Sequence, residues 1–160
     1  MIKPKVVIRN YHLEDAKALM DIFYNTIHKV NIKDYSQEQV DAWAPKSNMK
    51  LKIWEKRFKK SNPIIAEIDE KIVGFAEFRS DGYINCFYIH HEWIWKGIGT
   101  TLMKEIFIRA KKNKIIRIFV DVSITAKSFF KKMGFVVLSE QTITRKGIEL
   151  INYPMEKIIS

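Results

Sequence analysis

The sequence predicts an α/β domain with a mixed, mostly antiparallel central sheet flanked by helices. Three observations carry this expectation. From Ile64 to His90, three strand-like stretches are joined by two short turns, which makes an antiparallel meander. Phe87 to Met103, FYIHHEWIWKGIGTTLM, reads as a strand, a basic glycine turn and the start of a helix. Ahead of the meander, apolar residues recur at helical spacing. With 160 residues, the chain suits a single domain, 1–160, with a sizeable core.

Taken in order, Val6-Val7-Ile8 is a short β-branched run and reads as the first strand. Leu13-Glu14-Asp15 opens a helix with acidic residues in its first turn, and its apolar stripe is Ala16, Leu19, Met20, Phe23 and Ile27. Ser36 caps a second helix, Gln37 to Ala44, which Pro45 ends. Leu51 to Phe58 is a third helical stretch, with Trp54 and Phe58 on one side. Strands follow at Ile64 to Ile68, Ile72 to Phe78 and Tyr83 to His90, with turns at Asp69-Glu70-Lys71 and Ser80-Asp81-Gly82. Leu102, Ile106, Phe107 and Ala110 mark an amphipathic helix after the glycine turn. Ile115 to Val122 is a nearly continuous apolar strand, the pattern of a sheet covered on both faces. Thr125 to Met133 is a short helix stopped by Gly134. Phe135 to Leu138 and Ile148 to Tyr153 read as the last strands, with Lys146-Gly147 in the turn between them.

Composition narrows the function classes. Hydrophobic residues make up 47%, which argues against a disordered chain. The longest apolar runs fall far short of a membrane span. The N-terminal MIKPKVVIRN lacks the apolar core of a signal peptide and reads as strand. One cysteine, Cys86, rules out an internal disulfide and a cysteine metal cluster. Together these features predict a cytoplasmic protein without a structural metal. A net charge of +10 attracts polyanions. However, the lysines are scattered, and no helix carries a basic stripe with interleaved aromatics, so nucleic acid is not the expected partner.

The glycine turn is a candidate phosphate cradle. Glycines let the backbone approach a ligand closely. The first N–H groups of a helix have no internal partner, and their dipole favours an anion. Here Lys96 supplies charge, and Gly97, Ile98, Gly99, Thr100 and Thr101 supply donors.

Two motifs at this separation carry a resemblance that covers nearly the whole chain. Ile94-Trp95-Lys96-Gly97-Ile98-Gly99 is similar to the turn motif of the GNAT superfamily of N-acyltransferases, Gln/Arg-x-x-Gly-x-Gly/Ala. Ser123-Ile124-Thr125-Ala126, followed by Phe129-Phe130-Lys131-Lys132-Met133-Gly134-Phe135, resembles that family's second signature. The resemblance implies a GNAT-like fold and acetyl-CoA as cosubstrate. It implies transfer of the acetyl group to a primary amine of a small molecule or peptide by direct attack, and a homodimer as the assembly. It implies that Tyr88-Ile89 hold the pantetheine arm on a splayed strand. Lys96 to Thr101 would hold the phosphates, and Ser123, Ala126 and Phe130 would lie beside the cofactor.

Departures from the family pattern open the question of proton transfer. Phe130 stands where the family's tyrosine acid stands, Ile94 opens the turn motif in place of a polar residue, and Ser123 replaces an asparagine. The place of the glutamate base in histone-acetylating members is Tyr83, and a neutral tyrosine is a poor base near pH 7. The candidate catalytic residues are therefore Tyr83 and Glu77, with His90, His91 and Asp121 as further titratable groups near the strand ends. An acyl-CoA-binding module with little turnover is the alternative reading. Tyr24, His28, Tyr35 and Trp43 are the candidate acceptor-binding residues on the N-terminal helices. The stretch Asp34 to Pro45 looks like one found in a poorly characterised bacterial subgroup that also carries Phe-Phe in the second signature, which would make Phe130 a subgroup trait.

Overall fold

Asp69 and Glu70 both adopt positive φ, 49° and 65°. This is the conformation of a type I′ turn, whose twist matches that of paired strands. They join β2 (Ile64–Ile68) to β3 (Lys71–Phe78), and the turn at Ser80-Asp81-Gly82 leads on to β4 (Tyr83–Ile89). The computed structural model describes residues 5–159, so Met1 to Pro4 of the expected N-terminal strand lie outside the described residues. β1 (Val7–Asn10) adds antiparallel to β2. β5 (Arg117–Ser123) pairs parallel with β4 and antiparallel with β8 (Ile148–Ile158). β6 (Val136–Val137) and β7 (Gln141–Arg145) both pair antiparallel with β8. The result is a mixed sheet of eight strands, seven of them in the order β1-β2-β3-β4-β5-β8-β6.

Helices cover both faces. α1 (Ala16–Lys29), α2 (Gln37–Trp43) and α3 (Leu51–Ser61) lie on one face, where Leu19, Ile27, Val40 and Phe58 pack with Ile65 and Phe75. α4 (Ile98–Lys112) and α5 (Lys127–Lys132) lie on the other, where Leu102, Met103 and Ile106 pack with Ala66, Ile118 and Val122. Each fully buried side chain of this size stabilises the fold by roughly 1.5–3 kcal/mol. No helix among the described residues is long and apolar enough to cross a membrane.

Local signals account for the helix ends. Ser36 Oγ accepts from the Gln39 N–H at 3.1 Å, and Gln39 Oε1 accepts from the Ser36 N–H at 2.8 Å, a complete capping box. Gly134 follows α5 at φ 94°, as its expected stop position requires.

The structure corrects three expectations. β7 is a strand that the sequence does not announce, because Gln141-Thr142-Ile143-Thr144-Arg145 is short and mostly polar. Lys146 and Gly147 do form a turn, but they join β7 to β8. β5 is not covered on both faces. Ile118, Val120 and Val122 are buried, whereas Arg117 and Asp121 on its other side are exposed and Phe119 and Ser123 are half-buried.

Candidate functional site

β4 and β5 pair only at Tyr83 with Phe119 and Ile84 with Val120, and beyond these residues they diverge. A β-bulge sits beside this point. Glu77 pairs with Cys86 and Phe78 with Ile84, so Asn85 is an extra residue. The bulge sends Ile84, Phe87 and Ile89 to the α4 side and Cys86 and Tyr88 to the α1–α3 side. The His90 N–H bonds to the Val73 carbonyl at 2.8 Å, so the backbone of Tyr88, two residues earlier, also faces β3. Alternation then turns Phe87 and Ile89 toward the gap. Thr26 Oγ1 satisfies the Ile89 carbonyl at 2.8 Å. The open edge thus consists of the N–H and C=O of Phe87 and the N–H of Ile89. Tyr88, expected to share in that edge, offers its side chain instead.

A cavity of about 350 Å³ runs from this edge to the start of α4. Gly97 stands before α4 at φ 81°, and the first N–H to bond back is that of Thr101, to the Gly97 carbonyl at 3.2 Å. The N–H groups of Ile98, Gly99 and Thr100 therefore have no partner within the helix. A Cβ on Gly99 would lie 3.2 Å from the Phe129 ring, so this wall has no room for a side chain without movement. Thr125 Oγ1, also in this wall, is buried with no hydrogen-bond partner. Lys96 and Lys71 flank the Trp93 ring at 5.5 and 5.8 Å. An apolar trough that ends in backbone donors, with Lys96 over the Trp93 of its wall, fits a ligand with a long arm and phosphate groups.

A second cavity, of about 610 Å³, opens on the opposite face of the sheet. Tyr88 and Ser123 line both cavities, so the two meet at the divergence of β4 and β5. Its walls carry Trp43, Trp54, Tyr83, Asp121 and the β7–β8 hairpin. Tyr83 donates to Asp121 Oδ2 at 2.9 Å, and Gln141 Nε2 donates to Oδ1 at 3.2 Å. Burial, together with the Asp121 hydrogen bond and charge, pushes the Tyr83 phenol up to about 12. Tyr83 therefore stays a neutral donor at pH 7. Burial also holds the Tyr88 phenol well above its ordinary value, and the charges of Arg57 and Arg145 offset only part of that. Ser123 Oγ accepts from the Ala126 N–H at 3.1 Å and from Asn31 Nδ2 at 3.4 Å, which leaves its own proton uncommitted.

The other sequence candidates divide. Tyr35 and Trp43 line the second cavity and pack edge to face at 5.4 Å. The Tyr35 hydroxyl is already used, donating to the Ile151 carbonyl at 2.7 Å and accepting from the Ile124 N–H at 2.9 Å. Tyr24 and His28 do not line this cavity. Their rings stack at 4.2 Å, and His28 Nε2 lies 2.8 Å from the Ala44 carbonyl, which ties α1 to the end of α2. Glu77 is 1% exposed and lines neither cavity. Arg57 grips it at 2.5 and 3.2 Å, with Ser61 Oγ and Asn85 Nδ2 as further donors. Burial raises its pKa, but the Arg57 and Ser61 hydrogen bonds outweigh burial and hold the carboxyl below its ordinary range. A carboxylate so fully hydrogen-bonded is a poor base. His90 and His91 lie beside a separate cavity with Asp21, Glu70 and Lys71. Burial pushes the Cys86 thiol far up, which keeps it an inert thiol. Phe130 is 2% exposed and packs with Phe87, Phe129 and Phe135.

Arg57, Asn31, Arg145 and Asn152 were not singled out in the sequence. Arg57 had a signal, since it shares the helical face of Trp54 and Phe58. Arg145 shares one face of β7 with Gln141 and Ile143, an alternation visible only once β7 is known to be a strand.

Residues 31–157 match the family model described as an acetyltransferase (GNAT) domain. The chain is 30% identical over 150 residues to the uncharacterized N-acetyltransferase YafP of Escherichia coli (strain K12), covering 94% of each chain. Among solved structures, a GCN5-related N-acetyltransferase from Rhodopseudomonas palustris superposes with a TM-score of 0.91 at 30% identity, covering 99% of each chain. The PaiA N-acetyltransferase from Thermoplasma acidophilum, solved in complex with coenzyme A, shares the fold with a TM-score of 0.74 at 22% identity, over 96% of this chain and 99% of that one. The chain belongs to the GNAT family of acetyltransferases.

Proposed function

We propose that the protein uses acetyl-CoA to acetylate the primary amine of a small molecule or peptide by direct attack. Family membership supports the acetyl donor, and the coenzyme A in the PaiA neighbour agrees with it. The observation that carries the reading is the meeting of the two cavities at Tyr88 and Ser123. A cofactor in the first would meet an amine in the second at that junction.

Bound acetyl-CoA supplies an activated acyl group, the thioester. In this reading Lys96 and the α4 start hold its phosphates, and the open edge of β4 holds its arm. The Phe87 N–H hydrogen-bonds the acetyl carbonyl oxygen where negative charge grows. Asp121 accepts the amine proton. Tyr83 and Gln141 occupy one lone pair on each of its oxygens and leave the others open to an amine. The uncommitted Ser123 hydroxyl donates a hydrogen bond to the sulfur, which leaves as a thiolate, and Phe130 has no O–H to offer there. A nitrogen–carbon bond forms, the carbon–sulfur bond breaks with its electron pair on sulfur, and the amine proton passes to Asp121.

Thiol release from acetyl-CoA across an amine panel, with calorimetric binding of acetyl-CoA, tests the proposal. Binding together with thiol release for some amine supports it. Absence of binding, or a Gly99→Val variant that binds unchanged, overturns it. The buried Phe130 favours a second reading, cofactor binding without turnover; binding with no thiol release for any amine would establish that instead.

A further inference from the structure

The acceptor cavity carries two charges of opposite sign that the protein does not neutralise. Arg57, also in its wall, is answered by Glu77. Asp121 accepts only from the neutral donors Tyr83 and Gln141. Arg145 makes no ion pair among the described residues. It nevertheless lines the cavity, and its positive charge is felt at the Tyr88 phenol.

The sheet register sets these charges apart. Gln141, which holds Asp121, pairs with Asn152, and Arg145 pairs with Ile148 at the far end of β7. Four residue steps along the strand separate Gln141 from Arg145, roughly 13 Å between their Cα atoms. Asn152 Oδ1 is a buried acceptor with no partner among the described residues, and it too lines the cavity. Asn152 pairs with Ser123 across β5 and β8, which sets it next to the junction. The walls also carry the aromatic side chains of Phe23, Trp43 and Trp54. The cavity thus offers acceptors, a cation set apart from them along β7, and apolar faces.

We infer that the acceptor is a small amino carboxylate whose amine and carboxylate stand several bonds apart. Asp121 and Asn152 take the amine, Arg145 takes the carboxylate, and the aromatic walls cover the body. This rests on the acetyltransferase reading above and names its substrate class. An unpaired buried acceptor such as Asn152 Oδ1 costs stability unless a ligand meets it, and the exposed Arg145 is free to turn to an anion.

The test compares γ-aminobutyrate and ε-aminocaproate, each beside its own carboxamide, in the thiol-release assay. The pairs differ in charge at the remote end and little at the amine. The acids should exceed their amides in kcat/KM by roughly tenfold or more, mainly through KM. Glycine, with both groups on one carbon, should be a poor acceptor. Arg145→Gln should collapse the acid-to-amide ratio toward unity, and Arg145→Glu should reverse it. Arg145 is exposed on a hairpin, so these variants should fold, which circular dichroism checks. Equal use of acid and amide, or a ratio that Arg145→Gln leaves intact, overturns the inference while the acetyltransferase reading stands. Absence of thiol release with every amine tried overturns both.

Discussion

Tyr83 on β4 donates to Asp121 on β5 across 2.9 Å, beside the two residue pairs where these strands still hold together. The place that the family resemblance assigns to a basic glutamate holds a phenol, and a carboxylate lies beside it on the neighbouring strand. In the proposed mechanism the base is Asp121 and Tyr83 positions it. Asp121→Asn should lower kcat/KM by roughly a hundredfold or more, the usual scale for losing a general base. Tyr83→Phe should cost less, about tenfold. Because the Tyr83 phenol is pushed up to about 12, no Tyr83 ionisation should appear in the pH–rate profile between pH 6 and 9, roughly the range where such profiles are recorded. Steady-state kinetics of both variants checks this ordering; equal losses would remove Asp121 from the base role.

Gly99 has a narrower tolerance than Gly97. A Cβ at Gly99 meets the Phe129 ring at 3.2 Å, whereas one at Gly97 meets nothing within 4 Å. Gly97 instead holds φ 81°, a conformation that costs an L-residue roughly 1–2 kcal/mol. Gly99→Val should weaken acetyl-CoA binding by roughly tenfold or more, with a loss of melting temperature confined to what shifting the Phe129 ring costs. Gly97→Ala should lower stability as well as binding. Calorimetric titration beside thermal melts separates the two.

Glu77 ties β3 to α3 through Arg57 and Ser61, so its loss should be felt in stability more than in rate. Breaking a buried ion pair costs about 3–5 kcal/mol, and the partial exposure of Arg57 puts Glu77→Gln at the lower end, about 3 kcal/mol. The kcat of Glu77→Gln should stay within a few-fold of the parent at a temperature where it is folded. A loss of catalysis comparable with Asp121→Asn would return Glu77 to the mechanism.

The same carboxylate shapes acid stability. Burial raises the pKa values of Glu77 and Asp15, but hydrogen bonds from Arg57 and Arg9 outweigh it and leave both below their ordinary range. Each folded pKa lies under its unfolded value of about 4. Their stabilisation is therefore complete above that pH and is lost as pH falls through the folded values. Denaturant melts at stepped pH should show stability falling on the acid side of about pH 4, with a shallower fall in Glu77→Gln.

Phe130 packs its ring against Phe87 at 5.6 Å and Phe135 at 5.2 Å, and it is 2% exposed. Phe130→Tyr would add a hydroxyl to a buried ring, at a cost of about 1–3 kcal/mol where that hydroxyl finds no partner. It should not raise kcat, since Ser123 already supplies an O–H at the junction. A rise of roughly tenfold would show that an acid at position 130 is limiting.

The order of elements was legible because the signals behind it are local. The Ser36 capping box, the Gly134 stop, the alternation of the meander and the strand–glycine–helix passage around Gly97 all act within a few residues. The polar pentapeptide of β7 escaped because it has no apolar face of its own and becomes a strand only by pairing with β8. The phosphate cradle needs only backbone geometry at one helix start, so the sequence could mark it. The acceptor cavity needs side chains from distant segments. Asp121 meets Tyr83 across 38 positions, Ser123 meets Asn31 across 92, and Tyr35 reaches Ile151 across 116. Which carboxylate is tied down and which is left open depends on those meetings. The sequence by itself determined most of the elements and marked a candidate phosphate cradle, because both rest on short-range backbone and periodicity. Only the tertiary structure decided that Glu77 is sequestered and that Asp121, Asn152 and Arg145 face one cavity, because packing alone chooses partners between segments far apart in the chain.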